Sequence, residues 1–409
     1  MSGLIPYWAD EVVSVSRFFQ RFVFLFSIAL CLALVSGVVL GEFGLLGVRA
    51  GAQDGAYRQN NVYSEVLNKI QTDYVTEPKI NDVTTGALHG LLESLDADSS
   101  YLTPAEYTLY KDRQAAGAAQ VGITASKRYG YAVVVSVLPG SAAAKEHIGD
   151  GDVIESIGDL STRELSLAMI RLMLEGKPGS TVALSVVRPG KPDPEKVTLT
   201  RAITGVPALD ERQLEGATIL YLKPGALTAS RVDEMAAAIK SAAGSKVLLD
   251  LRDSAGGDAE QGVRLANFFI KQGTLAVLEG QKFPRQTFTA DPAKFITDAS
   301  LAVLINRGTY GAAELTAAAI KDAKRGDVVG ERSFGLGSVQ KTIELPDGAA
   351  LLLTVAKYQT AAGKKIQDEA VMPTVVVETA GEDEFDEAAP PKSDEPLLKA
   401  IELLKAKNS

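Results

Sequence analysis

The chain has 409 residues with a formal charge of −9, 46% hydrophobic and 23% charged residues, one cysteine and two histidines. That length predicts two or three domains of ordinary globular composition. One cysteine excludes an intrachain disulfide and any cysteine-built zinc or iron–sulfur site, and two histidines argue against a multi-histidine centre, so no metal and no cofactor is expected. The acidic balance argues against a nucleic-acid partner, which needs basic surface to displace counterions from phosphates. Any chemistry must rest on Ser, Thr, Lys, Asp, Glu or backbone amides.

Residues 22–41 (FVFLFSIALCLALVSGVVLG) carry no charge and, at 20 residues, are long enough to cross a bilayer as a helix. Arg17 and Arg21 precede the run, which predicts a cytoplasmic N-terminus (1–21), a single transmembrane anchor (22–46) and a soluble remainder outside. In a bacterium this is an inner-membrane protein facing the periplasm. A cleaved signal peptide ending at Ala50-Gly51-Ala52 is the competing reading, against which the length of the apolar run speaks. Cys31 lies inside the span and reads as a packing residue.

A linker (47–60) leads to Val62, Val66, Ile70 and Tyr74, spaced four apart as on one face of a helix that Pro78 ends. Further apolar patterns from Val83 to Leu95 and from Pro104, a residue suited to a first helical turn, predict a small helical domain over 61–115. His89, among leucines, reads as a packing or surface residue.

From 116 to 203 the pattern changes to short β-branched runs (131–137, 153–157, 181–187, 196–200) punctuated by Pro-Gly and Gly turns, with one helical segment at 165–174. The runs Val121-Gly122-Ile123-Thr124, Val135 to Ala143 (VSVLPGSAA) and Gly151-Asp152-Val153-Ile154 resemble a PDZ domain. In such a domain backbone N–H groups before the second strand hold a peptide's terminal carboxylate while the peptide adds as a strand. The resemblance therefore implies peptide binding at Gln120, Val121, Gly122, Ile123 and Thr124, with Leu165, Met169 and Leu172 lining the side-chain pocket. Read from the residues alone, those three helix positions serve equally well as core. Gln120 stands where such modules often carry glycine. His147 falls at an exposed turn.

Residues 204–380 alternate helix and strand patterns, with buried-strand runs at 247–251 and 301–305, and predict an α/β core. The run Leu249 to Gly257 (LDLRDSAGG) is a strand ending in a glycine pair whose amides suit an anion. Together with Asn306 to Leu315 (NRGTYGAAEL), Val329 to Gln340 (VGERSFGLGSVQ), Met372 to Val377 (MPTVVV) and Ser94 to Leu102 (SLDADSSYL), it is similar to the carboxyl-terminal processing, or tail-specific, proteases of the S41 serine peptidase family. The likeness covers nearly all of the chain outside the anchor.

That resemblance implies a Ser–Lys dyad in which a neutral lysine, its pKa lowered by burial, takes the serine proton. Matched residue by residue, the nucleophile position falls on Gly311 and the base position on Leu336, 25 residues apart. Glu314 and Gln340 anchor the match on either side. Gly256, Gly257, Ala312 and Gln340 keep the neighbouring positions. Glycine has no atom that attacks a carbonyl and leucine accepts no proton; losing the nucleophile of a serine protease costs on the order of a millionfold in turnover. As substitutes, Thr309 and Ser338 each lie two residues from a dyad position, with Lys341 or Lys324 as amine. Two residues along a strand is about 7 Å, too far to keep a reacting oxygen aligned.

An acidic, proline-containing linker (381–396) precedes a short amphipathic helix (397–409) bearing Leu397, Leu398, Ile401, Leu403 and Leu404. It packs either between subunits or back on its own domain. The expected function is that of a periplasm-facing pseudoprotease acting as an adaptor, assembly or structural subunit. It would bind polypeptide C-termini or a membrane-protein complex, as a homo-oligomer or beside an active relative. The alternative is an active tail-specific endopeptidase with relocated catalytic residues.

Overall fold

The computed structural model describes residues 50–116, 119–191, 193–203, 205, 207–377 and 393–407. The expected anchor at 22–46 and most of the acidic linker lie outside them. Among the described residues no helix is long and apolar enough to cross a membrane. The chain divides after Thr84 into two units. The first contains the helix Ala50–Asp73, whose four-residue apolar spacing carries on past its end at Tyr74. The helix Ile80–Glu93 runs across the division, and its last turns, within the second unit, pack Leu88 and Leu92 with Tyr101 and Ala349.

β1 (Ser100–Leu102) is wholly buried, and the helix Pro104–Ala116 opens on its proline as expected. Eight short strands follow: β2 (Ala119–Gln120), β3 (Ile123–Arg128), β4 (Tyr131–Val137), β5 (Val153–Ile157), β6 (Leu160–Ser161), β7 (Glu175–Gly176), β8 (Thr181–Val187) and β9 (Glu195–Thr200). They build an antiparallel sheet in the order β3-β4-β5-β8-β9, with β6 on β5 and a separate β2–β7 pair. β8 alternates exposed and buried residues, so Val182, Leu184 and Val186 face a core shared with Val121, Ile154 and Ile170. Ile170 belongs to the helix Leu167–Leu174, which starts at Ser166, whose hydroxyl accepts from the Met169 amide.

The remainder is an α/β core. β10 (Asp210–Leu214), β11 (Ile219–Lys223), β12 (Lys246–Asp250), β15 (Leu301–Ile305), β16 (Asp327–Gly330) and β19 (Val375–Val376) form one sheet in that order. All are parallel except the edge strand β10. Strands covered on both faces read as unbroken apolar runs, which is why Leu301 to Ile305 are all buried. Helices Ala229–Ser241, Ala259–Asn267 and Ala312–Asp322 join the parallel strands. The opposite face takes the C-terminal helix Glu395–Ala406 through Ala400, Leu404, Leu397 and Ile401. Of the two placements open to that helix, the structure has it back on its own domain. A second sheet, β1-β18-β13-β14 with β17 on β18, is antiparallel throughout; its further strands are β13 (Thr274–Glu279), β14 (Gln286–Thr289), β17 (Ser338–Glu344) and β18 (Ala350–Gln359).

Candidate functional site

In open parallel sheets, loops leaving the carboxyl ends of the strands build ligand sites. Here β12, β15 and β16 end beside one another, and the three glycine-rich motifs leave from those ends. Asp250, fully buried at the end of β12, accepts from Tyr221 Oη at 2.9 Å and Arg252 Nη2 at 2.7 Å. Burial and the Asp250 charge push the Tyr221 phenol well above its ordinary range. Arg252 also pairs with Asp394 at 2.8 Å, and Asp394 caps the C-terminal helix through the Leu397 amide. The loop then turns through left-handed residues Asp253, Gly256 and Gly257. At Gly257 a Cβ would meet Leu227 O at 2.1 Å, so only glycine fits. Both glycines are exposed.

The β15 loop is laid against this one by Asn306, whose amide oxygen accepts from the amides of Asp253 (3.0 Å) and Gly308 (3.1 Å). Thr309 is fully buried: its hydroxyl donates to Leu251 O at 2.9 Å and accepts from the Asn306 amide at 3.0 Å. That hydroxyl is committed to turn geometry. Gly311, at φ 60° and ψ −111°, precedes the helix Ala312–Asp322. Glu314 in the first turn of that helix is fully buried and accepts four hydrogen bonds. They come from the Ser333 hydroxyl, Gly335 N (2.7 Å), Leu336 N (2.8 Å) and Gly311 N (3.0 Å). One carboxylate thus ties the Gly311 turn to the loop of Leu336. Burial pushes Glu314 up to about 7, against the pull of those four donors. The outcome of the clamp is that a Cβ on Gly311 would lie 3.7 Å from Leu336 Cδ2.

Beside this pair runs a polar network that joins Ser338 and Gln340 to Arg171, Asp98 and Tyr310, to which the sequence assigned no role. Arg171, from the helix Leu167–Leu174, donates to Asp98 Oδ1 (3.3 Å), Tyr310 Oη (3.1 Å) and Ala125 O (3.3 Å). Ser338 Oγ donates to Asp98 Oδ2 at 3.3 Å and accepts from Gln340 Nε2 at 2.8 Å. Gln340 also reaches Thr354 Oγ1 at 3.2 Å, which in turn donates to Asp96 at 3.0 Å. Tyr310 packs on Phe334 with ring centroids 5.4 Å apart, and its burial pushes the phenol up to about 12. Burial likewise raises the Asp98 carboxyl, with Arg171 opposing. These partners are up to 240 positions apart in the chain, and no local pattern announces them; Tyr310, a bulky residue in a run of small ones, was the nearest available signal.

The predicted peptide-binding residues separate into groups. Val121 and Ile123 are buried in the core of the β-rich module. Gln120 forms a bridge with Ala202 through both its backbone groups, at 3.0 Å each, and Thr124 pairs with Ser136. Gly122 has φ +89°, and a Cβ there would collide with Ser141 at 2.1 Å. Leu165 packs at the junction of two clusters. Met169 and Leu172 are buried in one apolar cluster with Leu102, Tyr107, Ala350 and Leu352, the core placement that the residues alone equally allow. Two apolar side chains at the border of the module lose water contact by meeting β1 and β18. The β3 edge, where a peptide strand would add, is itself bridged: Arg171 holds Ala125 O, while Lys127 donates to Leu165 O at 2.7 Å and to Glu93 at 2.7 Å. His147 is exposed, and His89 sits 5.6 Å from the Tyr101 ring. A cavity of about 670 Å³ opens between the module and the α/β core, lined among others by Arg128, Val135, Arg307, Arg332, Phe334 and Met372. Among the described residues no group of three or more His, Cys, Asp and Glu is placed to hold a metal ion.

Residues 218–377 match the model of peptidase family S41, and residues 119–199 that of a PDZ domain. The carboxy-terminal-processing protease of Bartonella bacilliformis is 30% identical over 356 residues, 84% of this chain and 81% of that protein. The carboxy-terminal processing protease CtpA of Bacillus subtilis is 26% identical over 363 residues, 87% of this chain and 77% of that protein. Among solved structures, the photosystem II D1 C-terminal processing protease superposes with a TM-score of 0.65 at 26% identity, over 77% of this chain and 92% of that one.

Proposed function

The chain belongs to peptidase family S41, in its PDZ-containing, carboxyl-terminal-processing branch, and from that premise we propose that it is a pseudoprotease that binds polypeptides without cleaving them. The observation that carries this reading is the meeting of Gly311 and Leu336. The two positions that the resemblance assigns to nucleophile and base lie side by side, since a Cβ on Gly311 would be 3.7 Å from Leu336 Cδ2, and neither holds an atom that attacks a carbonyl or accepts a proton. The scaffold around them is retained in Gly256, Gly257, Ala312 and Gln340. Anchored through residues 22–46 with its folded part in the periplasm, the protein acts as an adaptor, assembly or structural subunit. Its partners are polypeptide tails or a membrane-protein complex.

A second reading, a peptidase with relocated chemistry, has one observation in its favour: Ser338 Oγ donates to the carboxyl of Asp98, whose pKa burial raises. Thr309 is no support for it, since its hydroxyl is buried and committed to Leu251 O. The purified full-length protein, incubated with an unfolded test polypeptide, is expected to leave it intact by mass spectrometry. New N-termini that disappear in Ser338→Ala would overturn the pseudoprotease reading in favour of the second.

A further inference from the structure

We propose that the α/β core carries a second polypeptide-docking site, separate from the PDZ module, that takes an extended segment rich in acidic side chains. This rests on the reading above that the chain binds polypeptides. β13, the loop after it and β18 enclose a hollow of about 620 Å³ whose lining includes Glu279, Phe283, Arg285, Val355, Lys357 and Lys365. The chain as a whole has a net charge of −9, yet the charged groups of this lining are three cations and one carboxylate. The carboxylate is already engaged: Glu279 accepts from Arg285 at 3.1 Å and from Gln359 at 2.6 Å. Lys357, half-buried and directly across from Glu279 in the β13–β18 ladder, and Lys365, exposed, form no ion pair among the described residues. Lys282 adds a further exposed cation on the loop between β13 and β14.

The backbone explains the hollow. β17 and β18 slip register between Val339 and Gln340, so that Val355 is the extra residue of a bulge. A bulge bends its strand and re-aims the side chains on either side of it. Gly280 has to be glycine here, because a Cβ would meet Val355 O at 1.9 Å. Uncompensated cations in a concave site concentrate field and draw anionic groups.

The chemistry of the lining selects among anions. The lining mixes the cations with Phe283, Val355 and the amides of Gln281 and Gln359. That mixture of charged, amide and apolar groups suits an extended chain carrying acidic and apolar side chains in alternation. Thr354 in the lining accepts from Gln340, a member of the polar network that includes Ser338 and Asp98.

The test uses the full-length protein in detergent micelles and a short labelled peptide alternating glutamate with valine, compared with its glutamine counterpart by fluorescence anisotropy. The glutamate peptide is expected to bind, to weaken as salt is raised, and to lose about tenfold or more in affinity in Lys357→Gln/Lys365→Gln. An unchanged melting temperature in the double variant shows that it is folded. Equal affinities for the two peptides, or no loss in the double variant, would overturn the site. So would capture of phosphatidylglycerol vesicles through these lysines with the peptide unbound. Mass spectrometry of the recovered peptide separates the two proposals: a cleaved peptide overturns the pseudoprotease reading alone, and an intact peptide without charge dependence overturns the docking site alone.

Discussion

Gly311 carries backbone angles, φ 60° and ψ −111°, that a side-chain-bearing residue adopts only under strain of about 1–3 kcal/mol. Glycine relieves that strain at the position that the resemblance assigns to the nucleophile. Gly311→Ser is therefore expected to destabilise the fold by about 1–3 kcal/mol in urea unfolding. An unchanged midpoint would show that the turn relaxes instead. Glu314 has the converse role, since the fold holds a carboxyl there at a cost. With its native pKa raised from 4.5 to about 7, the native state keeps a proton that the unfolded chain has already released. Its contribution is fully present below pH about 4.5 and lost as pH rises through about 7, and Asp98, also raised, adds slope of the same sign. Glu314→Gln is expected to flatten the fall of the melting temperature between those pH values. A slope as steep as that of the unmodified protein would assign it to other groups.

At the scale of elements, the helices and strands were largely legible because each carries its own period. The runs at 131–137, 153–157, 181–187 and 301–305 are strands at those same limits, and Pro104 starts its helix. β17 and β18 were missed, since their pairing residues are mixed in character and β1, the other partner of β18, lies some 250 positions earlier. The seat of the C-terminal helix was equally hidden, although its amphipathic stripe was visible. Its N-cap, Asp394, also closes the Arg252–Asp250 network at the root of the Gly256–Gly257 loop. Asp394→Ala is expected to cost about 0.5–2 kcal/mol from the cap alone, measured by denaturant unfolding. A neutral outcome would mean that the helix is held by Ala400 and Leu404 without it.

For the whole of the second unit, the decisive feature is that the PDZ module and the α/β core share side chains. Met169 and Leu172 belong by sequence to the module and by burial to a cluster with β1 and β18. Arg171 reaches from the same helix to Asp98 and Tyr310. Leu172→Asp is expected to separate the two by placing a charge in that apolar contact. Trypsin cleavage after Arg201, where the module ends, should then accelerate by about tenfold or more as local opening becomes easier. Cleavage at the original rate would mean that the polar contacts alone hold the module in place.

The sequence by itself determined the family and the order of its PDZ and peptidase modules, and the resemblance placed the dyad positions on Gly311 and Leu336, because motifs and periodicities are written in neighbouring residues. Only the tertiary structure decided that those two positions meet, that Thr309 is committed to a turn, and that Arg171 and Lys127 bridge the edge of β3. The physical reason is range. A hydrogen bond from Ser338 to Asp98, or a carboxylate gathering donors from Gly311 and Leu336, depends on where distant loops come to rest, and burial then sets its strength.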